Sequence, residues 1–128
     1  MKKIFLFMVT GLMFVGCFGK KEDVASKIIG NTYVLQKVID GSEVDVTFEK
    51  DRLSGKAGVN NYFANYKIDG QTIKIENPGS TRMMGPEELM KQEQEYLKNL
   101  NDAKNIKLTE KGIVITTTSG VQLDFDKK

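Results

Sequence analysis

Few residues in this chain have the type and spacing that catalysis requires. The sequence contains no histidine and a single cysteine, Cys17. Without histidine the chain cannot build a Ser-His or Cys-His nucleophile pair, and it lacks the commonest metal ligand in proteins. Residues 79–82 contain one glycine and no lysine in register, so they do not match a phosphate-binding loop. Carboxylates are therefore the remaining candidates for catalysis or cation binding.

Three of these carboxylates, Asp40, Glu43 and Asp45, lie close together in the sequence. Their spacing would allow contact with a cation, but the glycine and the distal glutamate of an EF-hand loop are missing. Exposed turns are normally rich in such residues. We therefore expect a solvated turn here, with no metal and no cofactor.

Glu93 falls within the apolar stripe of a predicted helix, three and four residues after Met90 and Leu89. This spacing turns its side chain toward the sheet or its margin. An unpaired buried carboxylate is costly, and Arg82, just before the helix, is a candidate bidentate partner. The functional alternative is a catalytic acid. Because no second carboxylate or base converges on this position, we favour a structural anchor and predict neither a catalytic residue nor enzyme activity.

The helix that carries Glu93 has end signals on both sides. Pro86 suits the first helical position, since its missing N–H would be unsatisfied there, and Glu87 and Glu88 complement the helix dipole. Asn99 or Asn101 can end the helix. The apolar side chains of one face are Leu89, Met90, Tyr96, Leu97 and Leu100.

The remaining residues alternate apolar and polar side chains, which predicts half-buried strands. The predicted strands are 33–38, 44–49, 52–57, 62–68, 72–76, 105–108, 113–117 and 122–126. Asn-Pro-Gly at 77–79 is expected to end the fifth strand. Eight short strands with one helix predict an α+β, mainly β fold: an antiparallel curved sheet or open barrel of about eight strands with one packed helix.

Residues 58–66 combine asparagines with aromatic side chains. Asn60 and Asn61 tolerate left-handed backbone geometry and can bond to nearby backbone. Tyr62, Phe63 and Tyr66 would suit a binding platform, but aromatic residues in strands more often belong to the core. We therefore expect these three side chains in the core.

The beginning of the chain has the pattern of a lipoprotein signal peptide. Two lysines precede the apolar residues 4–15, and the run ends at Gly16 and Cys17. This run is too short to span a bilayer, which needs roughly 18 apolar residues, but it has the length of a signal-peptide core. Residues 15–17 resemble the bacterial lipobox, with Phe14 where leucine is usual.

We expect this pattern to divide the chain into a signal peptide (1–16), a lipidated Cys17 with its tether (17–29) and one domain (30–128). Phe18 rather than aspartate follows the cysteine, so the inner-membrane retention signal of some enteric bacteria is missing. The expected location is the cell envelope. The lipid would sit in the outer membrane, facing the periplasm, in a diderm, and otherwise on the outer face of the cell membrane.

The chain that remains after cleavage is electrically balanced. It keeps 17 basic residues against 17 acidic ones, because Lys2 and Lys3 are removed from the original 19. A neutral surface without a basic stripe argues against a nucleic-acid partner. We expect a monomer whose partners are the membrane, through the lipid on Cys17, and an envelope protein.

Three motifs follow one another along the domain, and the two central motifs of the pattern are specific. They are Ser-Gly-x-x-Gly-x-Asn ending at Asn60, Thr-Arg-Met-x-x-Pro starting at Thr81, and Glu-x-x-Tyr-Leu-x-x-Leu starting at Glu93. Together with 33–35, 46–48 and 65–66, they make residues 33–125 resemble the META domain, as in the HslJ-like heat-shock lipoproteins. The resemblance makes Asn60, Thr81, Arg82 and Glu93 the candidate structural or functional residues. It also implies a small envelope or secreted module associated with stress responses, without enzyme activity.

Two departures from the family pattern occur together. Val59 stands where the family commonly has cysteine before asparagine, and Gly85 stands where it commonly has cysteine before proline; Tyr33 replaces the usual tryptophan. A single leftover thiol would be exposed to mispairing, so a joint loss is expected if the two positions are neighbours. We predict that Val59 and Gly85 lie within the distance that a disulfide can bridge.

The first interpretation of function is a non-enzymatic, lipid-anchored envelope protein that serves as a binding or structural module in envelope stress tolerance. One alternative is a periplasmic inhibitor of a hydrolase, which requires a rigid exposed loop, around Asn60 or at residues 40–43. The other is a small-ligand-binding half-barrel, which requires a deep apolar cavity.

Overall fold

The computed structural model describes residues 23–128, so the expected signal peptide and the lipid site at Cys17 lie outside the described residues. Two helices and eight strands occur in the described part. The helices are α1 (Val24–Ile28) and α2 (Glu87–Asn101). The strands are β1 (Thr32–Leu35), β2 (Asp45–Phe48), β3 (Arg52–Lys56), β4 (Asn61–Asp69), β5 (Thr72–Ser80), β6 (Ala103–Leu108), β7 (Gly112–Thr117) and β8 (Gln122–Lys127).

The eight antiparallel strands form a closed barrel in sequence order. β1 closes the ring, because Tyr33 lies opposite Val46 of β2 on one side and opposite Lys127 of β8 on the other. Along β4, every second residue from Tyr62 to Tyr66 is buried, as the period of a strand requires. The predicted mainly β fold with a packed helix is confirmed, and the barrel is closed rather than open.

The two helices lie at opposite ends of this barrel. Because neighbouring strands are antiparallel, α1, which precedes β1, lies at the end that carries the β2–β3, β4–β5 and β6–β7 turns. α2 connects β5 to β6 at the other end, where the β3–β4 turn also lies. Both helices contribute to the core: Val24 and Ile28 of α1 and Leu100 of α2 have no exposed surface, and Tyr96 has almost none.

Helix α1 lies within the segment that the sequence suggested as a tether. The Asp23 carboxylate caps it by accepting a hydrogen bond from the Ser26 N–H at 3.4 Å. Val24 and Ile28, four residues apart, point to the same side of the helix and are completely buried. Residues 24–28 therefore pack on the barrel, within the segment 17–29 that the sequence assigns to the tether.

Strand β5 continues through the predicted break. Asn77 adopts a left-handed φ of 45°, and the pairing with β4 shifts between Phe63 and Asn65 before it resumes with Phe63 opposite Gly79. Pro78 has no N–H to donate, and an irregularity of this kind is one of the places where a sheet tolerates proline. The prediction that Asn-Pro-Gly ends the strand is wrong, because a local bulge absorbs these residues.

The aromatic residues of β4 divide between the two faces of the sheet. Tyr62 and Tyr66 are buried, as predicted, but Phe63 is 46% exposed. Its ring lies across Gly79 of β5, where a Cβ would come within 3.0 Å of the ring atom Cε1. The guanidinium carbon of Arg52 is 5.8 Å from the centre of the same ring. Phe63 therefore packs on the outer surface, and the prediction that it lies in the core is wrong.

The predicted helix is confirmed as α2, with Pro86 as its N-cap rather than its first residue. Neither helix of residues 23–128 has the length and apolar character needed to cross a membrane.

Candidate functional site

Glu93 lies on the inward face of α2, against the β3–β4 turn, and is 3% exposed. Its Oε1 accepts hydrogen bonds from the backbone N–H groups of Val59 at 3.0 Å and of Asn60 at 2.7 Å. Its Oε2 accepts a third, from the side-chain amide of Asn60 at 2.7 Å. Gly58 precedes them with a φ of 121°. This region is readily accessible only to glycine, and it lets the turn aim two successive N–H groups at one oxygen.

The Asn60 side chain, which is almost fully buried, joins this turn to the segment before α2. Its Oδ1 accepts hydrogen bonds from the Met83 N–H at 2.6 Å and from the Thr81 hydroxyl at 2.9 Å. Its Nδ2 donates to the Met83 carbonyl at 3.2 Å as well as to Glu93. The amide thus binds the backbone of Met83 as a neighbouring strand would. We call Val59, Asn60, Thr81, Met83 and Glu93 the Asn60–Glu93 network.

Arg82 is not part of this network. Its side chain is exposed, and both ion pairs found among residues 23–128 are formed by Glu43, with Lys56 and Lys128. The proposed Arg82–Glu93 ion pair is therefore wrong. Sequence reasoning missed the true partners because most are backbone N–H groups, which every residue except proline carries.

The buried polar groups of the network are all hydrogen-bonded. Within the described residues, every buried side-chain nitrogen or oxygen has a hydrogen-bond partner. What the network does is hold residues 81–86 in place on the surface. That segment presents two apolar side chains to solvent: Met83 is 52% and Met84 is 87% exposed.

A profile of the META domain matches residues 26–128. The chain belongs to the META domain family. No curated protein gives a significant match to the sequence. The barrel is similar to an NMR structure of a protein from Burkholderia xenovorans, with 17% identity, a TM-score of 0.69, and coverage of 82% of this chain and 86% of that one. A second NMR structure has 18% identity, a TM-score of 0.65, and coverage of 80% and 92%. At these identities, the likeness concerns the fold alone.

Val59 and Gly85 of this META domain are in direct contact. A Cβ on Gly85 would lie 3.5 Å from the Cβ of Val59 and 2.8 Å from its Cγ2. Disulfides join Cβ atoms roughly 3.5–4.5 Å apart. The prediction that these two positions are neighbours is confirmed, and the valine side chain here occupies the space that a side chain at position 85 would need.

A second buried polar group links α2 to the barrel wall. The Tyr62 hydroxyl donates to the Asp45 carbonyl at 2.7 Å and lies 2.6 Å from the Tyr96 hydroxyl. Since Tyr62 has one proton to donate, Tyr96 is the donor of the second bond. Burial raises the pKa of both tyrosines well above the usual value. Contact with Tyr96 raises the pKa of Tyr62 further, whereas the hydrogen bond with Tyr62 lowers the pKa of Tyr96 and so partly offsets the effect of burial. Neutral hydroxyls therefore persist here at any physiological pH.

The carboxylates of the first hairpin do not act together. Asp40 and Glu43 are exposed, as the solvated-turn prediction requires, but Asp45 is 9% exposed. Its Oδ1 accepts a hydrogen bond from the Lys56 N–H at 2.8 Å. Asp45 thus fastens β2 to β3, and no group of three or more potential metal ligands occurs among residues 23–128.

Two shallow grooves lie beside α2. One, of about 650 Å³, runs between β5 and the start of β6. The other, of about 620 Å³, lies between α2 and the β1–β2 loop. Gln92 ties that loop to the helix by accepting from the Ile39 N–H at 2.8 Å and donating to the Ser42 hydroxyl at 2.7 Å. Nothing in the sequence around Gln92 signals this link.

Proposed function

We propose that this META domain protein is a non-enzymatic, lipid-anchored protein of the cell envelope, and that its barrel serves as a binding or structural module in envelope stress tolerance. The observation that supports this most strongly is the placement of the two helices. α1 lies where the chain comes in from Cys17, and α2 with the Asn60–Glu93 network lies at the opposite end.

The short chain between Cys17 and the domain limits how far the α1 end can lie from a lipid anchor. Asp23 is six positions after Cys17 in the sequence, and a chain of that length reaches at most about 20 Å. A lipid on Cys17 would therefore keep the α1 end near the membrane. The exposed segment 81–86 would then face away from the membrane, where a soluble partner has access to it.

The non-enzymatic part of the proposal is supported by how the candidate side chains are used. Glu93 accepts three hydrogen bonds, and the Asn60 amide is hydrogen-bonded at both of its polar atoms. These hydrogen bonds make the junction between α2, the β3–β4 turn and residues 81–86 rigid. A stiff junction suits recognition, because less conformational freedom is lost when a partner binds.

Labelling of cells with a palmitate analogue tests the anchor. The full-length protein should incorporate label and sediment with membranes, and globomycin should block its maturation. The Cys17→Ala variant should neither incorporate label nor sediment with membranes, which controls for label that is not on the cysteine. An unlabelled, globomycin-insensitive mature protein contradicts lipid anchoring.

Survival of a deletion strain under heat or detergent stress tests the role. We expect wild type to restore survival and Cys17→Ala to restore it poorly. Equal survival with and without the gene contradicts a role in stress tolerance.

Inhibition of a hydrolase is the second candidate function, favoured by one observation. Residues 81–86 form an exposed segment whose backbone is fixed by Asn60, and rigid loops with protruding side chains are typical of inhibitors. Assays of envelope peptidases and glycosidases with the purified protein test it. Inhibition that is lost in Met84→Ser, a change at an 87% exposed side chain, would favour this function over the first.

A further inference from the structure

Met83 and Met84 are thioethers placed on the surface. Met84 is the most exposed large hydrophobic residue of the described chain, at 87%, and Met83 is 52% exposed. Met90, the fourth residue of α2, is only partly exposed. Oxidation of methionine depends strongly on access of the oxidant to the sulfur, so the three side chains should differ in reactivity.

The backbone at Met83 is held independently of both methionine side chains. Asn60 binds the Met83 N–H at 2.6 Å and the Met83 carbonyl at 3.2 Å. Two residues further on, Gly85 lies against Val59, and Pro86 begins α2. A chemical change at either sulfur therefore occurs outside the core, on a segment whose position is already fixed.

We propose that Met83 and Met84 form a reversible oxidation site for two-electron oxidants such as hydrogen peroxide. In this step a lone pair of the methionine sulfur attacks one peroxide oxygen, an S–O bond forms and the O–O bond breaks. The second oxygen leaves as water after proton transfer, so the sulfur is oxidised by two electrons and the peroxide is reduced. In the reverse step a dithiol, acting through methionine sulfoxide reductase, becomes a disulfide, and the sulfoxide oxygen leaves as water.

Oxidation would change the character of the loop without changing its position. A sulfoxide is polar where the thioether is apolar, so the segment would lose its apolar contacts with a partner while the Asn60–Glu93 network stays intact. This consequence rests on the proposed envelope location and binding role, which expose the loop to outside oxidants. The difference in reactivity does not, because it depends on the fold alone.

Trypsin cleavage sites make the test direct. Cleavage after Arg82 and Lys91 releases residues 83–91, one peptide that contains all three methionines. The full-length protein, purified in detergent, is treated with hydrogen peroxide, and fragment ions of this peptide give the extent of oxidation at each sulfur. We expect Met84 and Met83 to be oxidised first and Met90 about tenfold more slowly.

The same treatment in guanidinium is the control for intrinsic reactivity, and there the three rates should converge. Protein oxidised only at 83 and 84 should keep its Tm, and methionine sulfoxide reductase with dithiothreitol should restore both thioethers. Equal rates at all three sulfurs in the native protein would overturn the proposal. So would unequal rates in guanidinium, a lowered Tm, or failure of the reductase. These results are independent of palmitate labelling, so the oxidation site and the anchor succeed or fail separately.

Discussion

Glu93 binds Asn60 with both oxygens of its carboxylate: Oε1 accepts the backbone N–H and Oε2 accepts the side-chain amide, each at 2.7 Å. The two residues are 33 positions apart, so this contact fixes α2 on the β3–β4 turn. It also orients the Asn60 amide, whose other contacts hold Met83. One carboxylate thus fixes the relative positions of α2, the β3–β4 turn and residues 81–86.

Replacing Glu93 with glutamine should destabilise the protein by about 2–4 kcal/mol. The amide nitrogen of glutamine is a donor, and in either orientation it faces an N–H donor of Asn60 or Val59. Urea unfolding measures the change. Glu95→Gln is the matched control, since Glu95 is exposed on the same helix, and it should alter stability by less than about 0.5 kcal/mol. Equal effects of the two substitutions would contradict the anchoring role of Glu93.

Cysteines at positions 59 and 85 should form a disulfide under mild oxidation in a Cys17→Ala background. The Cβ separation of 3.5 Å is suitable, and replacing valine removes the methyl groups that would collide with a side chain at position 85. The crosslink closes a loop of moderate length, so we expect a gain of about 3–4 kcal/mol in the free energy of unfolding. The comparison is between the oxidised and reduced forms of the same variant. A variant that stays reduced with oxidant would show that the two backbones are too far apart.

Stability should fall at alkaline pH. Burial raises the pKa of Tyr62 and of Tyr96 in the folded protein. Their contribution is complete below the unfolded pKa of about 10 and is lost as the pH rises above it, because the unfolded chain then releases protons that the folded chain retains. Urea unfolding between pH 8 and 11 measures this loss.

Tyr96→Phe separates these tyrosines from the other groups that titrate in this range. It should cost about 1 kcal/mol near pH 8 through its lost hydrogen bond, and it should make the decline above pH 10 less steep. An unchanged slope would mean that lysines or other tyrosines cause the decline.

Truncating Ile28 tests whether α1 belongs to the domain. Ile28 has no exposed surface, whereas its neighbour Ile29 is 43% exposed. Ile28→Ala should lower the free energy of unfolding by about 2–5 kcal/mol, and Ile29→Ala should have a much smaller effect. If both substitutions are neutral, α1 is dispensable and the tether extends to residue 29 after all.

The sequence predicts the barrel well where side-chain alternation reports burial. The strands around Tyr62 and Tyr66 and the helix that bears Glu93 follow directly from their periods. Helix α1 was missed because five residues are too few to establish a helical period. The prediction of a strand break at Asn-Pro-Gly was wrong for another reason. The strand continues there because its pairing with β4 shifts between Phe63 and Asn65, and the local sequence does not reveal the partner strand.

The sequence identified most residues of the candidate site but not the contacts between them. The family motifs brought Asn60, Thr81 and Glu93 to attention, and the structure joins them by hydrogen bonds. Arg82 comes from the same motif but is exposed. Charge complementarity suggested Arg82 as a partner for Glu93, whereas the actual donors are N–H groups brought within reach by the shape of a turn.

Closure of the barrel has a consequence for how the chain folds. β8 supplies a partner to β7 and also to β1, the first strand, so the ring is completed by a contact between the two most distant strands. Such non-local pairing forms late. A chain that has not yet delivered residues 122–127 leaves two open strand edges, and open edges invite association with other chains. Pairing of β8 with both of its neighbours is therefore the step that removes these two open edges.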